Sequence, residues 1–273
     1  MKCKTFTVTI FFISAVIFTF LCTELFATAE TSGYNKTIEK LEYQLNYCNL
    51  YSNNLYDTLE IAVTESNEPQ TVYLTFDDGP SQRTEEILDI LKEYDTKATF
   101  FIVCNDKDSA KQTVKRIYDE GHTLGVHSAS HSYKEIYKSV DSFLADFEIC
   151  YNYITEITGE APSIFRFPGG SINNYNKAVY KDIINEMGRR GFTYFDWNVS
   201  SDDATKDSSE DKIYSKVVNG CSDRTSSVVL LHDSASKKDT VSALKRIIPY
   251  LLEHGFIFEK LDENVKPTVF RVD

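Results

Sequence analysis

The sequence predicts an α/β fold: a parallel β/α barrel, irregular or incomplete, preceded by an N-terminal signal or anchor segment and a helical stalk. Three observations carry that prediction. From Thr71 onward, seven short apolar runs alternate with helical patterns over about two hundred residues, the layout of strands joined by crossover helices. The runs are apolar with little alternation, as strands buried on both faces of a parallel sheet require. Polar residues collect at or just past the ends of five of these runs, where barrels place their chemistry.

The chain opens Met-Lys-Cys-Lys, followed by an uncharged apolar stretch from Thr5 to Thr23 and then Ala27-Thr28-Ala29. A basic start, an apolar stretch and a small-x-small site in that order read as a secretory signal over residues 1–29. The stretch also has the length to span a bilayer, so an uncleaved anchor is the alternative. Both readings place the protein outside the cytoplasm, secreted or membrane-anchored and facing the cell wall. Cys22 follows Leu21, a poor lipoprotein site, because a small residue belongs there.

Residues 30–70 read as a stalk and linker. Tyr34, Ile38, Leu41, Leu45, Cys48, Ser52, Leu55 and Leu59 alternate at spacings of four and three, a short heptad seam. A spacer helix is the plainer reading; a coiled-coil dimer through 34–59, with Cys48 able to cross-link it, is the alternative. Thr64–Gln70 is polar and contains Pro69, marking a boundary. A single α/β domain then occupies 71–273.

Within that domain the expected strands are Val72–Phe76, Ala98–Val103, Thr123–His127, Ile164–Phe167, Phe192–Val199, Ser227–Leu231 and Phe256–Lys260. The expected helices are Thr84–Tyr94, Ser109–Glu120, Val140–Thr158, Lys177–Arg190, Ser209–Asn219 and Thr240–Glu253. The composition fits this picture. At 273 residues and 42% hydrophobic the chain supports a packed core, which excludes a disordered protein. With 41 acidic against 29 basic residues and a net charge of −12, it lacks the basic footprint of a nucleic-acid binder. Six cysteines are too few for a disulfide scaffold, and their spacings match no zinc or redox motif.

The strand-end residues suggest the chemistry. His127-Ser-Ala-Ser-His131 sets two imidazoles four apart, which a helical turn would put on one face to share a metal. Asp77-Asp78 is the natural source of a carboxylate, because adjacent acids after a buried strand are costly unless used. Two histidines and one carboxylate leave positions open for water and substrate and suit zinc, cobalt or iron. With no redox partner evident, hydrolysis is the plainer reading.

Taken in order, Thr75-Phe-Asp-Asp-Gly79, His127-Ser-Ala-Ser-His131, Arg166-Phe-Pro-Gly-Gly170, Asp196-Trp197 and Leu230-Leu-His232 resemble the five motifs of the polysaccharide deacetylase family (NodB-homology domain, carbohydrate esterase family 4). The resemblance covers roughly Thr71 to Leu261. It implies a distorted β/α barrel and metal-dependent N-deacetylation, with zinc the expected ion and cobalt an alternative. By resemblance, Asp78, His127 and His131 hold the metal, and Asp77 is the general base that takes a proton from the attacking water. Arg166 holds Asp77, His232 is the general acid, and Asp196 pairs with His232. Trp197 and Leu230 wall the acetyl pocket, Pro168 and Gly169 line the substrate side, and the Gly169 N–H helps stabilise the oxyanion. The sequence departs from part of the pattern at Gly169, where some members carry an aromatic or other large residue.

The expected substrate is an N-acetylated glycan, peptidoglycan N-acetylglucosamine first. Chitooligosaccharide, N-acetylmuramic acid and acetylxylan are alternatives, as is a glycan-binding module without turnover. His122 reads as a structural turn residue, His254 as a helix-end residue, and Asp202-Asp203 as a solvated loop. Asn173 and Asn174 are ambiguous from sequence alone.

Overall fold

The computed structural model describes residues 70–270. The expected signal or anchor segment, the heptad seam and Cys48 lie outside the described residues. Eight parallel strands alternate with seven helices among the described residues. They are β1 (Thr71–Gly79), α1 (Thr84–Glu93), β2 (Thr99–Val103), α2 (Asp108–Asp119), β3 (Thr123–Ser128), α3 (Tyr133–Ile136), α4 (Val140–Thr158), β4 (Ile164–Phe165), α5 (Tyr180–Arg189), β5 (Thr193–Tyr194), β6 (Val199–Ser200), α6 (Glu210–Cys221), β7 (Ser226–His232), α7 (Lys238–Glu253) and β8 (Ile257–Glu259). No helix among them is long and apolar enough to cross a membrane.

The sheet runs β5-β4-β3-β2-β1-β7-β6, with β8 also paired to β1. β1 is the hub. β7 lies along one side of it from Thr71 to Asp77. The other side is shared, by β8 at Thr71–Tyr73 and by β2 at Thr75–Gly79.

The predicted fifth strand, Phe192–Val199, is two strands. Phe195 N–H still bonds Phe165 O at 3.0 Å, extending the pairing of β5 with β4, whereas Asn198 N–H already bonds Val228 O at 3.1 Å on β7. Residues 195–198 therefore carry the chain from one edge of the sheet to the other. Seven strands about 4.8 Å apart would hold the edges of a flat sheet about 29 Å apart. Five fully extended residue steps reach only about 18 Å. The sheet must curl, and it does so as an open-seamed barrel whose two edges are joined by its own chain.

α4 shows how local sequence builds the wall behind the site. Ser139 caps it by accepting from Ser142 N–H at 3.1 Å. Gly159, at φ 79°, ends it in the left-handed conformation that glycine adopts freely. Phe143, Phe147, Cys150, Tyr153 and Ile154 are its buried residues, at helical spacing. Phe147 meets Phe165 of β4 at 5.6 Å and Phe192 at 4.8 Å, while Phe143 stacks on Phe167 at 5.3 Å. This aromatic cluster fixes the short β4 strand, which shares only two ladder positions with β5. Truncating Phe165 to Ala is expected to cost about 3–5 kcal/mol, because it opens a cavity in that cluster. Denaturant unfolding would report this as a fall in midpoint at unchanged slope.

Candidate active site

At the end of β1, regular alternation would send Asp77 and Asp78 to opposite faces. The register between β1 and β2 shifts between Asp77 and Gly79, and Asp78 sits at φ 72°. Asp is one of the few residues that tolerates this left-handed backbone. As a result both carboxylates face His127, with Asp77 Oδ2 3.9 Å and Asp78 Oδ1 3.6 Å from its Nε2.

His127-Ser-Ala-Ser-His131 is not the helical turn expected from its spacing. His127 is the next-to-last residue of β3, and His131 stands in the following loop at φ 52°. The two rings meet because that loop folds back. Asp146 of α4 accepts from Ser128 Oγ at 2.6 Å and from the N–H groups of Ala129 and Ser130, both at 2.9 Å. Ser128 Oγ in turn accepts from His131 N–H at 2.8 Å. His131 Nε2 is then 3.1 Å from Asp78 Oδ1. His127 Nδ1 is 2.9 Å from the Arg166 carbonyl. A carbonyl only accepts, so Nδ1 carries the proton and Nε2 keeps its lone pair for the site.

The donor atoms of Asp78, His127 and His131 all lie within 4.8 Å of one another. Two ligand atoms each about 2.0–2.1 Å from one ion can be at most about 4.2 Å apart. The 3.1 and 3.6 Å separations of Asp78 Oδ1 from the two histidine nitrogens meet that limit, and with all three donors within 4.8 Å of one another the set is of the chemistry that holds a divalent metal. Burial raises the Asp78 pKa, but the hydrogen bond from His131 and the charges of His131 and His232 outweigh it and hold the carboxyl at about 2. Burial pushes the His127 imidazole below its ordinary range despite the nearby carboxylates, keeping it neutral as a ligand must be.

Arg166 is fully buried and spends its donors on the site. Nη1 reaches Asp77 Oδ1 at 3.0 Å and Thr75 Oγ1 at 2.6 Å, Nε reaches Phe195 O at 2.8 Å, and Nη2 reaches Asp196 O at 2.9 Å. The guanidinium lies 4.3 Å over the Phe101 ring. Beyond Arg166, the loop is braced by Tyr137, whose hydroxyl bonds Pro168 O at 2.8 Å, and by Asn173, whose side chain bonds Pro168 O and Gly170 O. Asn173 is therefore a brace for this loop. Gly169 is exposed, at φ 76°, and its N–H has no hydrogen-bond partner among the described residues.

His232 closes the site from β7, where it is the register partner of Asp77. The expected pairing of His232 with Asp196 is not what the structure shows. Asp196 is buried, with its oxygens taken by Ser171 N–H at 2.8 Å, Ser171 Oγ at 2.5 Å and Phe270 N–H at 2.8 Å. It sits in the 195–198 crossing and binds the C-terminal segment. The partner of His232 is Asp203, expected to be solvated. Asp203 Oδ1 is 2.7 Å from His232 Nδ1, Oδ2 accepts from His232 N–H at 2.8 Å, and Thr240 Oγ1 donates to Oδ2 at 2.9 Å. Burial lowers the His232 pKa, but the hydrogen bond and charge of Asp203 outweigh it and raise the net value. Trp197 lies edge-on to Phe270 at 4.8 Å and 5.8 Å from the Arg166 guanidinium, and Leu230 is buried on β7 beside Thr75.

His122 is away from this cluster, accepting from Ala98 N–H at 3.2 Å before β3, and His254 bonds Tyr250 O at the end of α7. A cavity of about 990 Å³ between β6 and α6, lined by Asp202, Asp207 and Lys216 among others, contains none of the metal donors. The cluster of metal donors lies at the strand ends instead.

Two functional neighbours escaped the sequence reading. Asp203 carried a signal, because paired acids after a buried strand had already marked Asp77-Asp78. Asp146 carried none, being one acid in a helix. Asp146→Ala is expected to weaken divalent-metal affinity by about 10–100-fold, the usual effect of losing a group that orients a ligand. Competition against a chelator, with the circular dichroism spectrum retained, checks this.

Comparison with known proteins agrees with this geometry. Residues 64–191 match the family model for polysaccharide deacetylase. A peptidoglycan-N-acetylglucosamine deacetylase of Bacillus cereus is 31% identical over 202 residues, which cover 72% of this chain and 71% of the relative. The peptidoglycan-N-acetylmuramic acid deacetylase PdaA of Bacillus subtilis is 26% identical over 213 residues, 77% of each chain. The crystal structure of the catalytic domain of a peptidoglycan N-acetylglucosamine deacetylase from Eubacterium rectale superimposes with a TM-score of 0.71 at 36% identity, covering 81% of this chain and 98% of that one. A curled parallel sheet whose strand ends gather an Asp-His-His donor set, together with these relatives, makes the chain a member of the polysaccharide deacetylase family, a hydrolase of carbohydrate esterase family 4.

Proposed function

We propose that the protein removes acetyl groups from the N-acetylglucosamine of peptidoglycan, outside the cytoplasm, with zinc at Asp78, His127 and His131. The observation that carries the reading is the pairing across β1 and β7. Asp77 and His232 are register partners on neighbouring strands, each fixed by a buried group of opposite charge and both beside the metal donors. The deacetylases of Bacillus cereus and Eubacterium rectale, more similar to this chain than PdaA is, support glucosamine over muramic acid. The basic and apolar start of the sequence supports an extracytoplasmic site.

A divalent ion in this donor set supplies Lewis acidity, polarising the acetamide carbonyl and lowering the pKa of water. The protein residues do the rest. Asp77, held by Arg166, takes a proton as water attacks the carbonyl carbon. The Gly169 N–H, exposed and without a partner among the described residues, is free to donate to the developing oxyanion. His232, held in one tautomer by Asp203, donates from Nε2 to the amine nitrogen as the C–N bond breaks. Acetate and a free amine leave. Trp197 and Leu230 wall the space for the acetyl methyl, and Pro168 lines the substrate side.

Acetate release by the full-length protein on peptidoglycan, chitopentaose and acetylxylan tests the reading. Release is expected to be fastest on peptidoglycan, lost with chelator and restored by zinc. Faster turnover of chitopentaose or acetylxylan would reassign the substrate, and chelator-insensitive release would remove the metal. Asp77→Asn is expected to lower acetate release by at least about 100-fold, the contribution of a general base, while still binding metal. A second prediction concerns pH. Asp203 raises the His232 pKa, and the protonated form is the general acid, so activity falls as pH rises through that pKa. Asp203→Asn removes the charge and leaves burial to lower the pKa. The alkaline limb of kcat/KM is expected to move to lower pH, with the acid limb in place.

A further inference from the structure

The bare backbone of Gly169 is not empty space. A Cβ built there would lie 2.6 Å from a ring carbon of Tyr133 and 3.2 Å from its hydroxyl oxygen. Tyr133 opens α3, the short helix that the sequence pattern did not reveal, and its ring fills the place a side chain at Gly169 would take. The ring stands edge-on to the metal-donor His131 at 5.2 Å. On its other side it meets Tyr175 at 5.2 Å, with the planes tilted by 50°.

Tyr175 is 52% exposed, one of the few large hydrophobic side chains left open to solvent among the described residues. Its loop is braced, because Asn173 Oδ1 accepts from Tyr175 N–H at 2.8 Å and from Asn176 N–H at 3.2 Å. Asn176 is itself buried and bonds the carbonyls of Gly170 and Ser171. Tyr137 backs Tyr133 at 6.3 Å and ties it to Pro168. Two aromatic rings on a rigid support, one half-buried and one open, thus stand beside the donor set and not over it.

We propose that Tyr133 and Tyr175 form a platform for a pyranose ring of the glycan, flanking the sugar whose acetyl group is removed. The negative faces of the rings suit the polarised C–H groups on the flat side of a pyranose, and the tyrosine hydroxyls suit its rim. From α3, the Tyr133 ring takes up the space beside Gly169. The platform rests on the deacetylase reading and deepens it.

The test compares kcat/KM for chitopentaose with kcat/KM for a small aryl acetate that is too short to reach Tyr175. Tyr175→Ala is expected to lower the ratio of the two about three- to tenfold, through KM for the oligosaccharide, and Tyr175→Phe to recover most of it. In the Asp77→Asn background, the Kd for chitopentaose is expected to rise by a similar factor on adding Tyr175→Ala. Exposure of Tyr175 leaves the fold intact in these variants. An unchanged ratio and unchanged Kd would overturn the platform while leaving the deacetylase reading standing. A wild-type protein that releases acetate from neither of these substrates nor from peptidoglycan would overturn both.

Discussion

The guanidinium of Arg166 is the group on which the site and the seam of the sheet both depend. It is a charge fully removed from water, tolerable only because β1, the 195–198 crossing and a neighbouring aromatic ring supply oxygens and a π face to every side of it. Withdrawing one partner of such a pair leaves the other charge stranded, at about 3–5 kcal/mol. The same residue therefore orients Asp77 and stitches β4 to the strand-to-strand crossing. Its own carbonyl adds a third task by setting the tautomer of His127.

Around that anchor the reactive residues sit where the backbone is least comfortable. Asp78, His131 and Gly169 all have positive φ, and a non-glycine residue held there costs on the order of 1–3 kcal/mol. Each is overdetermined from outside. Asp233 N–H bonds Asp77 O at 2.7 Å, Asp146 gathers three donors from the histidine loop, and Tyr137 with Asn173 grips the loop of Gly169. The functional groups converge because their supports belong to the rigid layer beneath them.

What the sequence revealed and what it hid divide along a physical line. Local signals worked. Apolar runs and helical periods located most strands and the six longer helices, because burial and period act over a few residues. α4 came out with its observed ends, since Ser139 and Gly159 mark them. Long-range events did not show. Phe192–Val199 reads as one apolar strand, and only the positions of β4 and β7 reveal that it serves two edges. The spacing of His127 and His131 suggested a helix, whereas a carboxylate on α4 folds the loop instead. The resemblance implied Asp196 as the partner of His232, but contacts to Thr268 and Phe270, far along the chain, claimed it. Asp203 looked solvated for want of knowing that Thr240 and His232 would enclose it.

The central position of β1 carries a consequence in time. It is the first strand of the domain to be made, yet its partner β7 begins 155 residues later, at Ser226 against Thr71, and β8 begins later still. At about 5–20 residues per second, ribosomal synthesis leaves β1 without its main partner for roughly 8–30 s. For that interval an apolar strand carries an open edge, the condition under which chains pair wrongly. The domain cannot lock piece by piece from its N-terminus. Its first strand is secured only once β7 and β8 have been made, so the sheet closes around β1 in one late step.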